Sequence, residues 1–242
     1  MKEIMPVPQE DLEPEAKHEK KYNFEKMAEI EPAAASLVEQ LKEAIVNAEY
    51  SAILSDDAGG RIPTLILDKI FKEKSPEKIK TYFLAAGIDL HYINESYNKN
   101  TEEYKAIIRY LEKMDFGKKK TLIVTQFCGS GKSLESIGLL LRSIGINQFD
   151  FASLYKYHIS PSKEQLRQSF DRKFESKLFF SKEEKVPKWI IQDHEAISGV
   201  RKKMGINPSV EIAASYEHIK KSREDVKLMA ERVIEKVWPE NK

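Results

Sequence analysis

The chain has 242 residues, of which 41% are hydrophobic and 33% charged, and its 40 Lys and Arg nearly balance its 39 Asp and Glu. This length is sufficient for a buried core, and the near-neutral charge argues against a uniformly basic nucleic-acid-binding protein. The single cysteine, Cys128, excludes an intramolecular disulfide and a zinc site built from several cysteines.

The N-terminal segment is polar and contains Pro6, Pro8 and Pro14. We therefore expect a flexible polar arm over residues 1–30, followed by a single α/β domain over residues 31–242. The first residues lack the basic region and apolar run of a signal peptide, and no window is apolar enough for a transmembrane helix. These features predict a cytoplasmic protein without a membrane partner.

Predicted strands and helices alternate along the rest of the chain. Short apolar runs predict strands over 50–54, 79–85, 121–127, 149–157 and 186–192, and helices are predicted over 32–48, 62–72, 101–114, 134–144, 160–180 and 211–237. Because the strands are apolar without alternation, they are expected to be buried on both faces. The pattern predicts an α/β fold, with a mainly parallel sheet flanked by helices and extra helices at the N- and C-termini. The last helix has an apolar stripe that would dock on the core or on a second subunit of a homodimer.

The loop after the third predicted strand reads CGSGKS, at residues 128–133. Gly129 and Gly131 would let backbone N–H groups converge on a phosphate, at the positive end of the following helix. Ser130 and Ser133 supply hydroxyls, and Lys132 supplies charge. The loop therefore predicts an anion site, and a tight turn without a ligand is the structural alternative.

The end of this loop also matches the end of a P-loop. The full P-loop motif places a glycine where Gln126 stands. Asp193, at the end of the run WIIQD, would supply a metal-holding acid. A nucleoside triphosphatase therefore remains an alternative hypothesis.

The same segment resembles the diphosphate-sugar loop of the type I phosphoribosyltransferases. In the family this loop consists of an apolar strand, two acids, an apolar residue, small residues and Gly-x-Ser/Thr, in that order. Here residues 122–124 form the strand, and Thr125 and Gln126 stand in place of the acids. The resemblance implies that residues 129–133 hold the 5-phosphate of a ribose phosphate, with Thr125, Gln126 and Cys128 beside it. In the family the two acids hold the ribose hydroxyls, for which the neutral Thr125 and Gln126 are weaker acceptors.

The predicted loop after the first strand supports the same resemblance. It reads SDDAGGRIP, and in the family a short loop at this place binds the diphosphate through backbone N–H groups. The resemblance implies diphosphate binding by Ala58, Gly59, Gly60 and Arg61. It also implies that the acids at 56–57 hold Mg²⁺ or partly replace the missing acids. A plain strand-to-helix turn capped by one of these acids, Asp56 or Asp57, is the alternative.

Two functions follow from this resemblance. One is a protein that binds a nucleotide or phosphoribosyl diphosphate and, as an active enzyme, transfers phosphoribosyl to a nitrogenous acceptor with Mg²⁺. The other is a non-catalytic nucleotide-sensing or protein-interaction module on the same fold, which the missing acids favour. No catalytic residue is assigned, although His194 between Asp193 and Glu195 and a polar flap over residues 87–120 are candidates for a role.

Overall fold

The computed structural model describes residues 20–84, 101–157, 161–192, 195–202 and 210–239. The strands are β1 (Tyr50–Asp56), β2 (Lys80–Leu84), β3 (Lys120–Cys128), β4 (Phe149–Lys156), β5 (Leu178–Phe180), β6 (Val200–Lys202) and β7 (Val210–Ile212). The helices are α1 (Glu31–Val46), α2 (Asp57–Lys74), α3 (Glu102–Leu111), α4 (Lys132–Ser143), α5 (Lys163–Phe174), α6 (Lys188–Gln192), α7 (Glu195–Ser198) and α8 (Tyr216–Val237), preceded by a 3₁₀ helix (Glu25–Ile30).

Five parallel strands form the central sheet in the order β2-β1-β3-β4-β5, and β6 and β7 form a separate antiparallel pair. The α/β prediction with a mainly parallel sheet is confirmed. Because β2 and β3 lie on opposite sides of β1, the strand order reverses between β1 and β3. An open parallel sheet forms its ligand crevice at such a reversal, outside the carboxyl ends of the strands.

Helices cover both faces of the sheet. One apolar cluster joins α1, α2 and α8 to one face, and includes Ile53 and Leu122. A second cluster joins α3, α4 and α5 to the other face, and includes Leu54 and Ile123. Burial on both faces explains why the strands read as continuous apolar runs. The apolar stripe of α8 is buried within the first cluster, so it docks on the core of its own chain.

The end of the expected polar arm packs against this core. Met27 and Ile30 are fully buried, and the Asp225 carboxylate on α8 accepts hydrogen bonds from the backbone N–H groups of Asn23 (2.7 Å) and Phe24 (2.8 Å). Residues 22–30, which we expected to belong to the arm, therefore pack against the core, and the two buried apolar side chains lie three residues apart on one face. Residues 1–19 lie outside the described residues.

The fifth strand lies elsewhere than predicted. The run 186–192 contains the short helix α6, and the strand beside β4 is β5, inside the predicted helix 160–180. Helix α5 begins at a capping box of Ser162 and Gln165 and ends where Glu175 adopts a left-handed conformation (φ 56°), which frees the next residues to join the sheet. A short apolar run does not distinguish a strand from a buried helix, and here tertiary packing decided. Within the described parts of the chain, no helix has the length and apolar character to span a membrane.

Candidate functional site

The two segments singled out in the sequence meet at the carboxyl end of the sheet. Ser55 of β1 lies opposite Val124 of β3, so Asp56 and Thr125 follow at the same level. Helix α2 begins directly after β1, and residues 129–131 join β3 to α4. Both helix N-termini therefore lie beside the crevice expected between β1 and β3.

Gly131 forms the turn into α4. It adopts a left-handed conformation (φ 84°), and a Cβ there would lie 2.9 Å from Leu166 and 3.0 Å from Phe170. Its backbone N–H donates to the Cys128 sulfur. Gly131 is therefore required by the turn, and its N–H is already engaged rather than held ready for a phosphate.

The rest of this turn is open. No side chain caps the N-terminus of α4, and the first-turn N–H groups of an α-helix have no partner within the helix. Ser130 and Lys132 are exposed, Gly129 and Ser133 are half-buried, and no atom lies within 4 Å of a Cβ built on Gly129. The loop thus combines available backbone donors with space in front of them, as an anion site requires.

Cys128 points into the protein. Its side chain is buried in the cluster beneath α4, and burial raises the pKa of the thiol to about 12, although the nearby Lys156 opposes this rise. The thiol is therefore protonated at neutral pH and is not an activated nucleophile. Only the backbone of Cys128 could therefore lie beside a phosphate as predicted, and its carbonyl already accepts a hydrogen bond from the Tyr157 N–H.

Thr125 and Asp56 lie together. Both are buried, and the Thr125 hydroxyl donates a long hydrogen bond of 3.5 Å to the Asp56 carboxylate, alongside a 3.4 Å contact with the Phe127 carbonyl. Asp56 is the N-cap residue of α2, but its side chain makes no capping hydrogen bond. The Asp56 carboxylate therefore has a partner on β3, the Thr125 hydroxyl.

Gln126 lies on the opposite face from Thr125. Strand alternation places it with Leu122 and Val124, which pack in the cluster beneath α1 and α2. It is 1% exposed, and neither its amide oxygen nor its amide nitrogen has a hydrogen-bond partner. An unpartnered buried polar group costs about 1–3 kcal/mol, so the Gln126 amide lowers the stability of the fold.

The predicted loop after β1 is helical instead. Ala58, Gly59 and Gly60 form the first turn of α2, and Pro63 lies inside the helix and not in its first turn. A Cβ on Gly60 would lie 2.6 Å from the Val124 carbonyl oxygen, whereas one on Gly59 would meet open space. Gly60 therefore lets α2 approach β3 closely, and that contact outweighs the low helix propensity of glycine.

Arg61 is directed towards β2. Its guanidinium lies 4.4 Å from the centre of the Phe83 ring, a cation–π contact at the carboxyl end of that strand. The predicted diphosphate contact would thus be made beside β2, at the outer side of the crevice.

Sequence reasoning missed Lys156, the last residue of β4. It lies opposite Cys128, is 7% exposed, and its Nζ donates to the Tyr157 carbonyl at 2.5 Å. Burial lowers the pKa of Lys156. A lysine that ends an apolar strand run was the available signal, because that position lies at the carboxyl end of the sheet.

Other residues predicted to have a functional role lie partly or wholly outside the described residues. The side chains of Asp57 and Ala58 are not described, nor are Asp193, His194 and residues 87–100 of the expected flap. Glu195 is the first residue of α7. Among the described residues, no group of three or more His, Cys, Asp or Glu side chains could hold a metal ion.

The comparisons with known proteins found similarity to solved structures only. No protein-family model and no curated protein matches the chain. Among solved structures, the purine phosphoribosyltransferase from Pyrococcus horikoshii Ot3 matches with 17% identity and a TM-score of 0.37, over 70% of this chain and 96% of its own length. A likeness at this level carries no argument about ligand or activity.

Proposed function

We propose that the chain binds a phosphorylated ribose ligand, a nucleotide or phosphoribosyl diphosphate, between the carboxyl ends of β1 and β3. The observation that carries this proposal is the uncapped N-terminus of α4 at the reversal of strand order, with open space beside Gly129. Backbone N–H groups and the helix dipole favour a phosphate there. Ser130, Lys132 and Ser133 would add hydroxyl and cationic contacts.

Binding without turnover is favoured over phosphoribosyl transfer to a nitrogenous acceptor. Thr125 and Gln126 are uncharged and lie on opposite faces of β3, so they do not act as one pair on a sugar. Asp56 is the described carboxylate at this place, and a single buried carboxylate does not make a Mg²⁺ site by itself. Any Mg²⁺ would be held chiefly by the diphosphate of the ligand.

The triphosphatase hypothesis uses the same helix N-terminus. It lacks the first glycine of the motif, because Gln126 stands there and is buried without a partner. Substituting Lys132 by alanine separates the two functions. The change would abolish triphosphate binding by a P-loop but only weaken a ribose phosphate held mainly by backbone N–H groups.

A thermal-shift panel with Mg²⁺ tests the proposal, comparing phosphoribosyl diphosphate, nucleoside monophosphates, ATP, GTP and inorganic phosphate. A ligand at 100 times its Kd adds about 2.7 kcal/mol to the free energy of unfolding. Stabilisation by phosphoribosyl diphosphate or monophosphates supports the proposal, stabilisation by triphosphates alone supports a P-loop, and no response to any of them contradicts both.

A charge variant locates the site. Ser133→Asp places a carboxylate in the first turn of α4, where it favours the helix but repels a phosphate, and we expect the ligand Kd to rise about tenfold or more. Asn147→Asp makes the same charge change on an exposed residue at the opposite end of the sheet. It should leave the Kd unchanged.

A further inference from the structure

Strand β5 lies at one edge of the central sheet, with β4 as its neighbour in the described part of the chain. Every second residue of an edge strand directs its backbone N–H and C=O groups away from the sheet, where another extended chain can pair with them. The Phe151 N–H on β4 donates to the Lys177 carbonyl at 2.8 Å. Residues 177 and 179 therefore face β4, and residues 178 and 180 direct their carbonyls to the open edge.

Both of these outward carbonyls accept hydrogen bonds from side chains of the flanking helices. The Gln40 amide of α1 donates to the Phe180 carbonyl at 2.5 Å, and Arg167 Nε of α5 donates to the Leu178 carbonyl at 3.2 Å. Helix α1 packs in the first apolar cluster and α5 in the second, so the two side chains reach the edge from opposite faces of the sheet. The acceptors that a further strand would need are therefore already in use.

The same arrangement continues where β5 ends. Lys163 Nζ of α5 donates to the Ser181 carbonyl at 2.8 Å, and the Lys182 N–H donates to the Ser36 hydroxyl of α1 at 2.8 Å. Side chains of α1 and α5 thus bond to the backbone from residue 178 to residue 182. A pattern that recurs along the edge from two helices is more than one isolated contact.

We propose that Gln40 and Arg167 form an edge seal, which prevents β5 from pairing with β5 of a second copy of this chain. The strand reads Leu-Phe-Phe over 178–180, and apolar and aromatic residues of this kind favour strand pairing between chains. An open edge with such a sequence is a site of self-association. The seal is independent of the proposed function, because β4 separates β5 from the crevice beside β3.

A double variant of the full chain tests the edge seal. Gln40→Leu with Arg167→Met removes both donors and keeps side chains of similar length. The matched control is Gln168→Leu with Arg172→Met, which makes the same changes at exposed residues of α5. Sedimentation velocity over a series of protein concentrations measures self-association. We expect the seal variant to form dimers or larger assemblies at concentrations where the wild type and the control sediment unchanged.

Hydrogen exchange locates the new contact. In the associating seal variant, exchange of the backbone N–H groups of residues 178 and 180 should slow as the protein concentration rises, because a second strand then covers them. Phe179→Lys, added to the seal variant, places a charge on the half-buried middle residue of β5. It should return the sedimentation to that of the wild type.

Three outcomes would overturn the proposal: a folded seal variant that sediments like the wild type, equal association of the control, or association without slower exchange at residues 178 and 180. Circular dichroism establishes that each variant is folded. If the double variant does not fold, Gln40→Leu and Arg167→Met are measured singly, since each opens one carbonyl. Unchanged sedimentation of both single variants would then overturn the proposal.

Discussion

The two ends of the central sheet differ in how completely their buried polar groups are hydrogen-bonded. At the amino end, Asp150 is 1% exposed and accepts from the Tyr50 hydroxyl (2.9 Å), Lys120 Nζ (3.0 Å) and the Lys177 backbone N–H (2.7 Å). At the carboxyl end, the Gln126 amide makes no hydrogen bond.

The difference concerns how completely the buried polar groups are hydrogen-bonded. A buried charge with three partners is fully hydrogen-bonded, whereas the buried Gln126 amide has no partner, and an unsatisfied group of this kind lowers the free energy of unfolding. Unpartnered hydroxyls occur at both ends, on Thr121 and on Ser55, and are a smaller cost than a whole amide. The Asp150 network at the amino end therefore contributes more to stability than the Gln126 amide at the carboxyl end.

The largest expected effect is at Asp150. Asp150→Ala leaves Lys120 and the Tyr50 hydroxyl without their buried partner, and breaking such a pair costs about 3–5 kcal/mol. Urea denaturation measures the loss. Asp171→Ala, on an exposed aspartate of α5, is the control and should change the free energy of unfolding by less than about 0.5 kcal/mol. Similar losses in both variants would show that the Asp150 network is not special.

The adjacent glycines of α2 should respond in opposite directions. Gly60→Ala drives a Cβ against the Val124 carbonyl and should destabilise the fold by about 1–3 kcal/mol. Gly59→Ala adds a methyl group in open space within a helix and should stabilise it by about 0.5–1 kcal/mol. Thermal unfolding of the two single variants tests this prediction. A loss of stability in both variants would mean that the close packing of α2 on β3 does not by itself explain the loss at Gly60.

Gln126→Leu should stabilise the unliganded protein. It removes an amide that is buried without partners and keeps a similar volume, so we expect a gain of about 1–2 kcal/mol in urea denaturation. Thr121→Val is the matched change at the amino end of the sheet. It removes one hydroxyl and not a whole amide, so we expect a smaller gain in the free energy of unfolding. A clear loss in Gln126→Leu would mean that the amide is satisfied in solution.

The smallest effect is expected in alkaline solution. Burial, and then the Asp150 carboxylate, raise the pKa of the Tyr50 phenol, whereas an unfolded tyrosine ionises near pH 10. The stability from this group is therefore present below pH 10 and is lost as the pH rises above it, by about 1.4 kcal/mol at pH 11. Tyr50→Phe should lose correspondingly less between pH 9 and pH 11 than the wild type. Tyr216→Phe, at an 80% exposed side chain, should follow the wild type.

The sequence predicted most of the sheet because its strands are buried on both faces. The first four strands lie within one or two residues of their predicted bounds at each end. The prediction of the fifth strand was wrong, since a short apolar run such as 186–192 is compatible with a strand and with a buried helix. The packing of residues 22–30 was not predicted either. The polar composition of this segment did not indicate that Met27 and Ile30 are buried, or that Asn23 donates to Asp225 of α8.

At the candidate site, the sequence indicated the segments but not the partners. The glycines and the GKS run marked the α4 turn, and strand order alone then brought residues 56 and 125 together. The helical first turn at Gly59 and Gly60 is contrary to the low helix propensity of glycine, and the close contact of Gly60 with β3 compensates for it.

The amino-acid sequence by itself determined an α/β protein with a glycine-rich turn before a helix, because periodicity and turn chemistry are local properties. Only the tertiary structure decided that Asp56 bonds to Thr125, that Gln126 is buried without a partner and that Lys156 lies beside Cys128. These are contacts between strands, and they depend on register and on which face each side chain takes.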